Sequence, residues 1–122
     1  MEMLRASDAA LPALIREVFG EREEPLSPQG KRLLEGSMWA FRADATYASI
    51  GRKLAGEQPP FDLMAVYLGG TDVVGHRFWR YWAPQQFQYP PTSAEVGSFG
   101  SIIPDYYAHA DRVIGDLKKA AG

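Results

Sequence analysis

The chain of 122 residues contains no cysteine. That excludes disulfides, thiolate metal centres and thiol nucleophiles, and it leaves the redox compartment open. Histidine is nearly as scarce: His76 and His109 are the only two, so any imidazole-rich centre completed by this chain has at most two such ligands. Neither sign of charge is in excess, with 13 Lys and Arg against 15 Asp and Glu. The balance holds along the chain, with 8 basic and 9 acidic groups in residues 1–60 and 5 and 6 in residues 61–122. Nucleic-acid binders concentrate Lys and Arg in a stripe, and without one no nucleic-acid recognition is expected. Long apolar runs are also missing. The longest is Leu63–Leu68, far below the roughly 20 residues that cross a bilayer, so no membrane association is expected. Met1–Leu11 carries Glu2, Arg5 and Asp8 with no apolar centre, unlike a secretory signal peptide. Localisation stays unknown. There is no internal repeat and no Gly-rich phosphate loop of known spacing.

What is present suits a globular protein of about one domain, with 46% hydrophobic and 23% charged residues. Leu11, Leu14, Ile15 and Val18 follow the i, i+3, i+4, i+7 spacing of a helical face, with Pro12 in the first turn and Gly20 as the stop. Glu21–Pro28 reads as a loop. Ser27 can cap a short helix with Pro28 at its first position, ended by Gly36. A longer helix then carries Ala40, Ala43, Tyr47, Ile50 and Leu54 on one face and breaks at Gly56–Pro60. Gln85–Ser98 reads as an irregular connection. Phe99, Ile102, Ile103, Tyr106, Tyr107, Ala110, Val113, Ile114 and Leu117 mark a last helix, with Pro104 in its first turn and Lys118 and Lys119 at its negative end.

Phe61–Leu68 differs in kind. It is a short apolar run between Pro59-Pro60 and Gly69-Gly70, rich in Leu, Val and Tyr. Such a run predicts a buried strand of a parallel-type sheet. The tally is an α/β chain, mostly helical, with four to five helices and one strand. A lone strand cannot satisfy its own backbone, so a second strand is hidden in the loops or the partner strands lie in another part of a larger protein.

The chemistry concentrates just after that run. Asp72 falls where open α/β sheets bind ligands, and His76 is four residues on. A helix from Val73 to Trp82 brings both side chains to one side. A carboxylate and an imidazole are suitable ligands for Zn²⁺ or a similar divalent ion. The same residues also admit a structural reading, in which Asp72 is the helix N-cap and His76 a partly buried, hydrogen-bonded ring.

The order of strand, small-residue turn, Asp-x-x-x-His and aromatic helix resembles the type I phosphodiesterase and nucleotide pyrophosphatase group of the alkaline phosphatase superfamily. The matching text is Asp62-Leu-Met-Ala-Val-Tyr67, Gly70-Thr-Asp72-Val-Val-Gly-His76-Arg-Phe-Trp79 and Pro84, with Asp111-Arg-Val-Ile-Gly115 resembling the helix that follows in the family. The resemblance spans roughly residues 40–120. It implies part of an alkaline-phosphatase-like sandwich and a hydrolase that clamps a phosphate ester between two zinc-like ions. Asp72 and His76 would be two ligands of one ion, and the substrate a phosphate ester or nucleotide. The family's site also needs a Ser or Thr nucleophile, further Asp ligands and three histidines in all. None of those is matched in this chain, so the resemblance implies an internal fragment of a larger enzyme, inactive alone. On this basis residues 1–36 form an unassigned helical segment and residues 37–122 a partial domain, together one compact unit. The alternative is a small helical binding or assembly module in which Asp72 and His76 are structural.

The remaining candidates read more plainly. His109 is expected to face solvent on its helix. Phe78, Trp79, Trp82, Tyr106 and Tyr107 read as core or interface rather than as a nucleobase cleft, and any left uncovered would favour self-association. Arg77 and Arg80 flank Asp72 and His76 and are expected to be solvated charges rather than phosphate ligands. Thr46 and Ser49 lack a neighbouring base and are not read as nucleophiles.

Overall fold

A computed structural model of the chain describes residues 2–20 and 26–122, with side chains from residue 10 onward. Among the described residues five α-helices make up the fold: α1 (Glu2–Phe19), α2 (Pro28–Ala55), α3 (Gly70–Trp82), α4 (Ser93–Phe99) and α5 (Ile102–Ala121). A single 3-10 turn, Pro84–Gln86, follows α3. No strand or sheet occurs among the described residues.

The local causes are mostly conventional. Ser27 accepts a hydrogen bond from the Gly30 N–H and Pro28 opens α2, where a missing N–H costs nothing. Arg52 and Lys53 lie in its last turn, favourably placed against the helix dipole. The α4 helix starts with a reciprocal capping box between Thr92 and Glu95. That bonding holds the Glu95 carboxyl below its usual range.

Packing places α1 against α2 and α5, α3 against α2 and α5, and α4 against α3. The core is aromatic. Phe41 stacks on Tyr106 with ring centroids 5.4 Å apart. Phe19 meets both Phe41 and Phe78 edge-on, and Tyr81 meets Phe99 edge-on at 5.1 Å. Leu14, Val18, Val74 and Ile102 fill the gaps between the rings. Truncating a buried aromatic of this type costs about 3–5 kcal/mol.

The expected α/β sandwich with its parallel strand is therefore incorrect: this is a small all-helical fold. Phe61–Leu68 is neither helix nor strand: among the described residues no strand pairs with its N–H and C=O groups, and a strand exists only as part of a ladder. Nor is it buried on both sides. Met64, Val66 and Leu68 are half-buried while Leu63, Ala65 and Tyr67 are exposed. The segment lies along α2, enclosing a cleft of about 300 Å³ with Tyr47, Ile50, Gly51 and Leu54.

Four helix boundaries also differ, the first being that α3 begins at Gly70 rather than Val73. Gly36 does not end a helix, because α2 runs through it without a break. Pro12 lies inside α1 rather than in its first turn. Phe99 belongs to α4, and the last helix begins at Ile102. Pro104 does fall in the first turn of α5, and Pro84 does follow the end of α3. No helix among the described residues is long and apolar enough to cross a membrane.

Candidate functional site

Helix α3 begins after Gly69, a residue with no side chain to cap it. Asp72 is the third residue of α3 and His76 stands one turn later. Their side chains are 73% and 82% exposed, and Nε2 of His76 is 3.4 Å from Oδ1 of Asp72. Asp72 is not the N-cap, since Gly69 holds that position. Both side chains open on a cleft of about 500 Å³ completed by Thr71, Gly75, Trp79, Phe87 and Tyr107. Nothing stands above Gly75, so the surface between the pair and Trp79 is low. The indole N–H of Trp79 donates to Oε1 of Gln86 at 2.9 Å, which fixes that wall.

The donor set is small. Among the described residues no group of three or more His, Asp or Glu side chains is placed to hold a metal. The Asp72–His76 pair alone leaves two positions of a tetrahedral ion open.

The second histidine lies elsewhere and is not solvent-facing. His109 is half-buried on α5, with Nδ1 2.9 Å from Oε2 of Glu17 on α1. Arg112 is ion-paired with the same carboxylate. Burial, reinforced by the Arg52 guanidinium, holds the His109 ring below its ordinary value, against the pull of the Asp44 carboxylate. The contact between Nδ1 and Oε2 of Glu17 pins α1 to α5.

The arginines also leave the cleft. The guanidinium of Arg77 lies over Gly36, with Nη1 2.6 Å from where a Cβ would stand. A side chain at that position of α2 would displace it. Nη2 of Arg80 donates to the Tyr89 carbonyl at 3.2 Å. The aromatic residues divide: Phe78 and Tyr106 are core, while Trp79 and Tyr107 join the cleft. Thr46 and Ser49 bond back to the Arg42 and Ala45 carbonyls of their own helix.

Two residues of this region are missing from the sequence reading. Phe87 reaches the cleft from an irregular segment, and no periodicity announces it. Asp44 is different, because it sits among Ala40, Phe41, Ala45 and Ala48 on the buried stripe of α2. A single acid on an apolar stripe is a readable signal. Asp44 is 3% exposed. Its Oδ2 accepts the Gly70 N–H at 3.0 Å and the Tyr106 hydroxyl at 2.7 Å, while Oδ1 is buried without a partner. Burial raises the Asp44 carboxyl above its ordinary value despite those bonds. Burial and the neighbouring carboxylate push the Tyr106 phenol up as well.

No protein-family model matches the chain, and no curated protein or solved structure matches it either.

Proposed function

We propose that this chain is a fragment of a metal-dependent phosphoric ester hydrolase of the phosphodiesterase or nucleotide pyrophosphatase type, in which Asp72 and His76 are two ligands of one divalent ion. The observation that carries this reading is their separation. Two donors bound to one tetrahedral zinc at about 2.0–2.2 Å stand about 3.4 Å apart. The observed distance between Asp72 Oδ1 and His76 Nε2 is 3.4 Å. A good N–H···O hydrogen bond would draw the two atoms to about 2.9 Å. The pair is also exposed, and no Lys or Arg lines the cleft to compete for the carboxylate.

An ion held there supplies Lewis acidity toward a phosphoryl oxygen and a water made acidic enough to ionise near neutral pH. Asp72 contributes charge and His76 a neutral nitrogen donor. Trp79, Phe87 and Tyr107 offer aromatic faces to the organic part of a phosphate ester. A nucleophile and the rest of the two-ion ligand set are not identifiable among the described residues, and the reading assigns them to other parts of a longer parent enzyme. By itself this chain is then inactive and binds metal weakly.

A second reading is a helical binding or assembly module with a structural Asp72–His76 pair. The exposure of Trp39, Phe61, Leu63, Tyr67 and Tyr89 favours it, since such surface suits self-association. A phosphodiester assay on the full-length gene product separates the two. Hydrolysis that falls by at least about 10²-fold in Asp72→Asn, about 3 kcal/mol of transition-state stabilisation, is expected for a metal ligand. Hydrolysis indifferent to the substitution, or absent from the unaltered protein, overturns the enzyme reading.

A further inference from the structure

We propose that Asp44, together with Tyr106, is a positioning residue that fixes the first turn of α3 and with it the relative placement of Asp72 and His76. The metal reading above supplies what is positioned; the positioning itself stands on the geometry below.

The first four N–H groups of any helix lack partners within it. In α3 the local sequence is poorly equipped to supply them. Gly69, at the cap position, makes no side-chain bond. Gly69 and Gly70 also lose more backbone freedom on ordering than any other residue would. A helix that starts Gly-Gly-Thr frays unless something outside it holds the start. The cap comes from α2, 26 positions away in sequence: Oδ2 of Asp44 accepts the Gly70 N–H. The same oxygen accepts the hydroxyl of Tyr106 on α5, whose ring is held by stacking on Phe41. One buried oxygen atom thus ties three helices together directly beneath the turn that carries Asp72.

Glycine at position 70 is required by this arrangement. A Cβ there would collide with the Tyr106 hydroxyl and the Asp44 carboxylate. Sliding the helix start by one residue would bring Thr71, with its branched side chain, to the same place. The register of α3 is therefore fixed. Asp72 lies two residues beyond the capped amide. If the first turn unwinds, Asp72 leaves the helix and its 3.4 Å separation from His76 is lost.

The experiment compares the whole chain with Asp44→Ala, Asp44→Asn, Tyr106→Phe and Leu14→Ala. Amide hydrogen exchange at residues 70–72 is read relative to the core amides of α5, and Zn²⁺ alone is the probe for the metal pair. Asp44→Ala is expected to speed exchange at residues 70–72 by ~10-fold or more and to weaken Zn²⁺ binding by ~10-fold, the lower end of what losing a supporting partner costs a metal site. Asp44→Asn keeps an oxygen that accepts both bonds and is expected to retain both properties. Leu14→Ala lowers stability through α1 and is expected to move neither. If Asp44→Ala does not fold, Tyr106→Phe carries the test with the same sign and a smaller shift. Unchanged exchange at residues 70–72 in both variants, or an equal change in Leu14→Ala, overturns the proposal. If the unaltered protein binds no Zn²⁺ through His76, the metal reading fails, and the amide readout still decides the role of Asp44.

Discussion

Two carboxylates meet the start of α3, Asp44 from α2 by accepting the Gly70 N–H and Asp72 from the first turn itself, and they have opposite environments. Asp44 is buried and two hydrogen bonds converge on a single one of its oxygens. Asp72 is 73% exposed, with His76 as its ionic partner among the described residues. Removing the partners of a buried polar group costs its full desolvation penalty, about 1–3 kcal/mol, whereas an exposed pair is worth little. The difference separates the residues that hold the turn from those the turn presents. The hydrogen bonds of the buried group go to the fold, whereas the exposed pair faces solvent.

The two glycines of α3 give the sharpest test of that contrast. Gly70→Ala places a methyl group against Tyr106 and Asp44 and should destabilise the protein by at least about 2 kcal/mol, through overpacking and the loss of the capping bonds. Gly75→Ala, at the cleft, meets nothing within 4 Å and should stabilise it by up to about 1 kcal/mol, the helix-propensity difference. Urea unfolding of the two variants measures both. Equal effects would erase the distinction between the two sites.

The next effect depends on pH. Burial raises the Asp44 carboxyl above its ordinary value, so the folded state favours the proton more than the unfolded chain does. The contribution of this group is then fully present below its unfolded value of about 4 and is lost as pH rises through the raised one. Asparagine cannot ionise. Asp44→Asn should therefore gain stability relative to the unaltered protein as pH rises from about 4 toward neutrality. A difference in unfolding midpoints that stays constant across that range would show that Asp44 carries no raised value.

The smallest effect is expected at the exposed pair. His76→Ala and Asp72→Asn should each change stability by no more than about 0.5 kcal/mol. A loss of several kcal/mol in thermal unfolding would favour the structural reading of the pair.

Much of the helical layout was legible in the sequence, and the failures have identifiable physical causes. The face containing Ile102, Ile103, Tyr106 and Val113 is buried as its spacing suggests, although Tyr107 and Ile114 on the same helix are exposed. Gly36 looked like a helix stop because glycine favours that position. It is retained mid-helix where Arg77 of another element lies over it, a tertiary reason that no local rule contains. Phe61–Leu68 looked buried on both sides because an apolar run does not report how many of its faces are covered. Gln85–Ser98 is not an irregular connection throughout, because α4 begins inside it at Ser93; the signal overlooked is the capping box Thr92-Ser-Ala-Glu95 in a proline-rich stretch. At the site, the Asp-x-x-x-His spacing was legible and the pair does share one face. A lone acid on the apolar stripe of α2 signals the burial of Asp44, but its pairing with Gly70 and Tyr106 and the arrival of Phe87 were not legible, because both depend on how distant segments meet.

If Asp72 and His76 are two ligands of one ion, zinc must reach Nε2 of His76. Titrating the protein with Zn²⁺ while following the ring nitrogens of both histidines by NMR tests it most directly, because His109 is an internal control held by Glu17. Nε2 of His76 is expected to shift with weak, saturable affinity, His109 to stay in place, and Asp72→Asn to abolish the response. A His76 signal that ignores zinc, or one that moves only in step with His109, would contradict it.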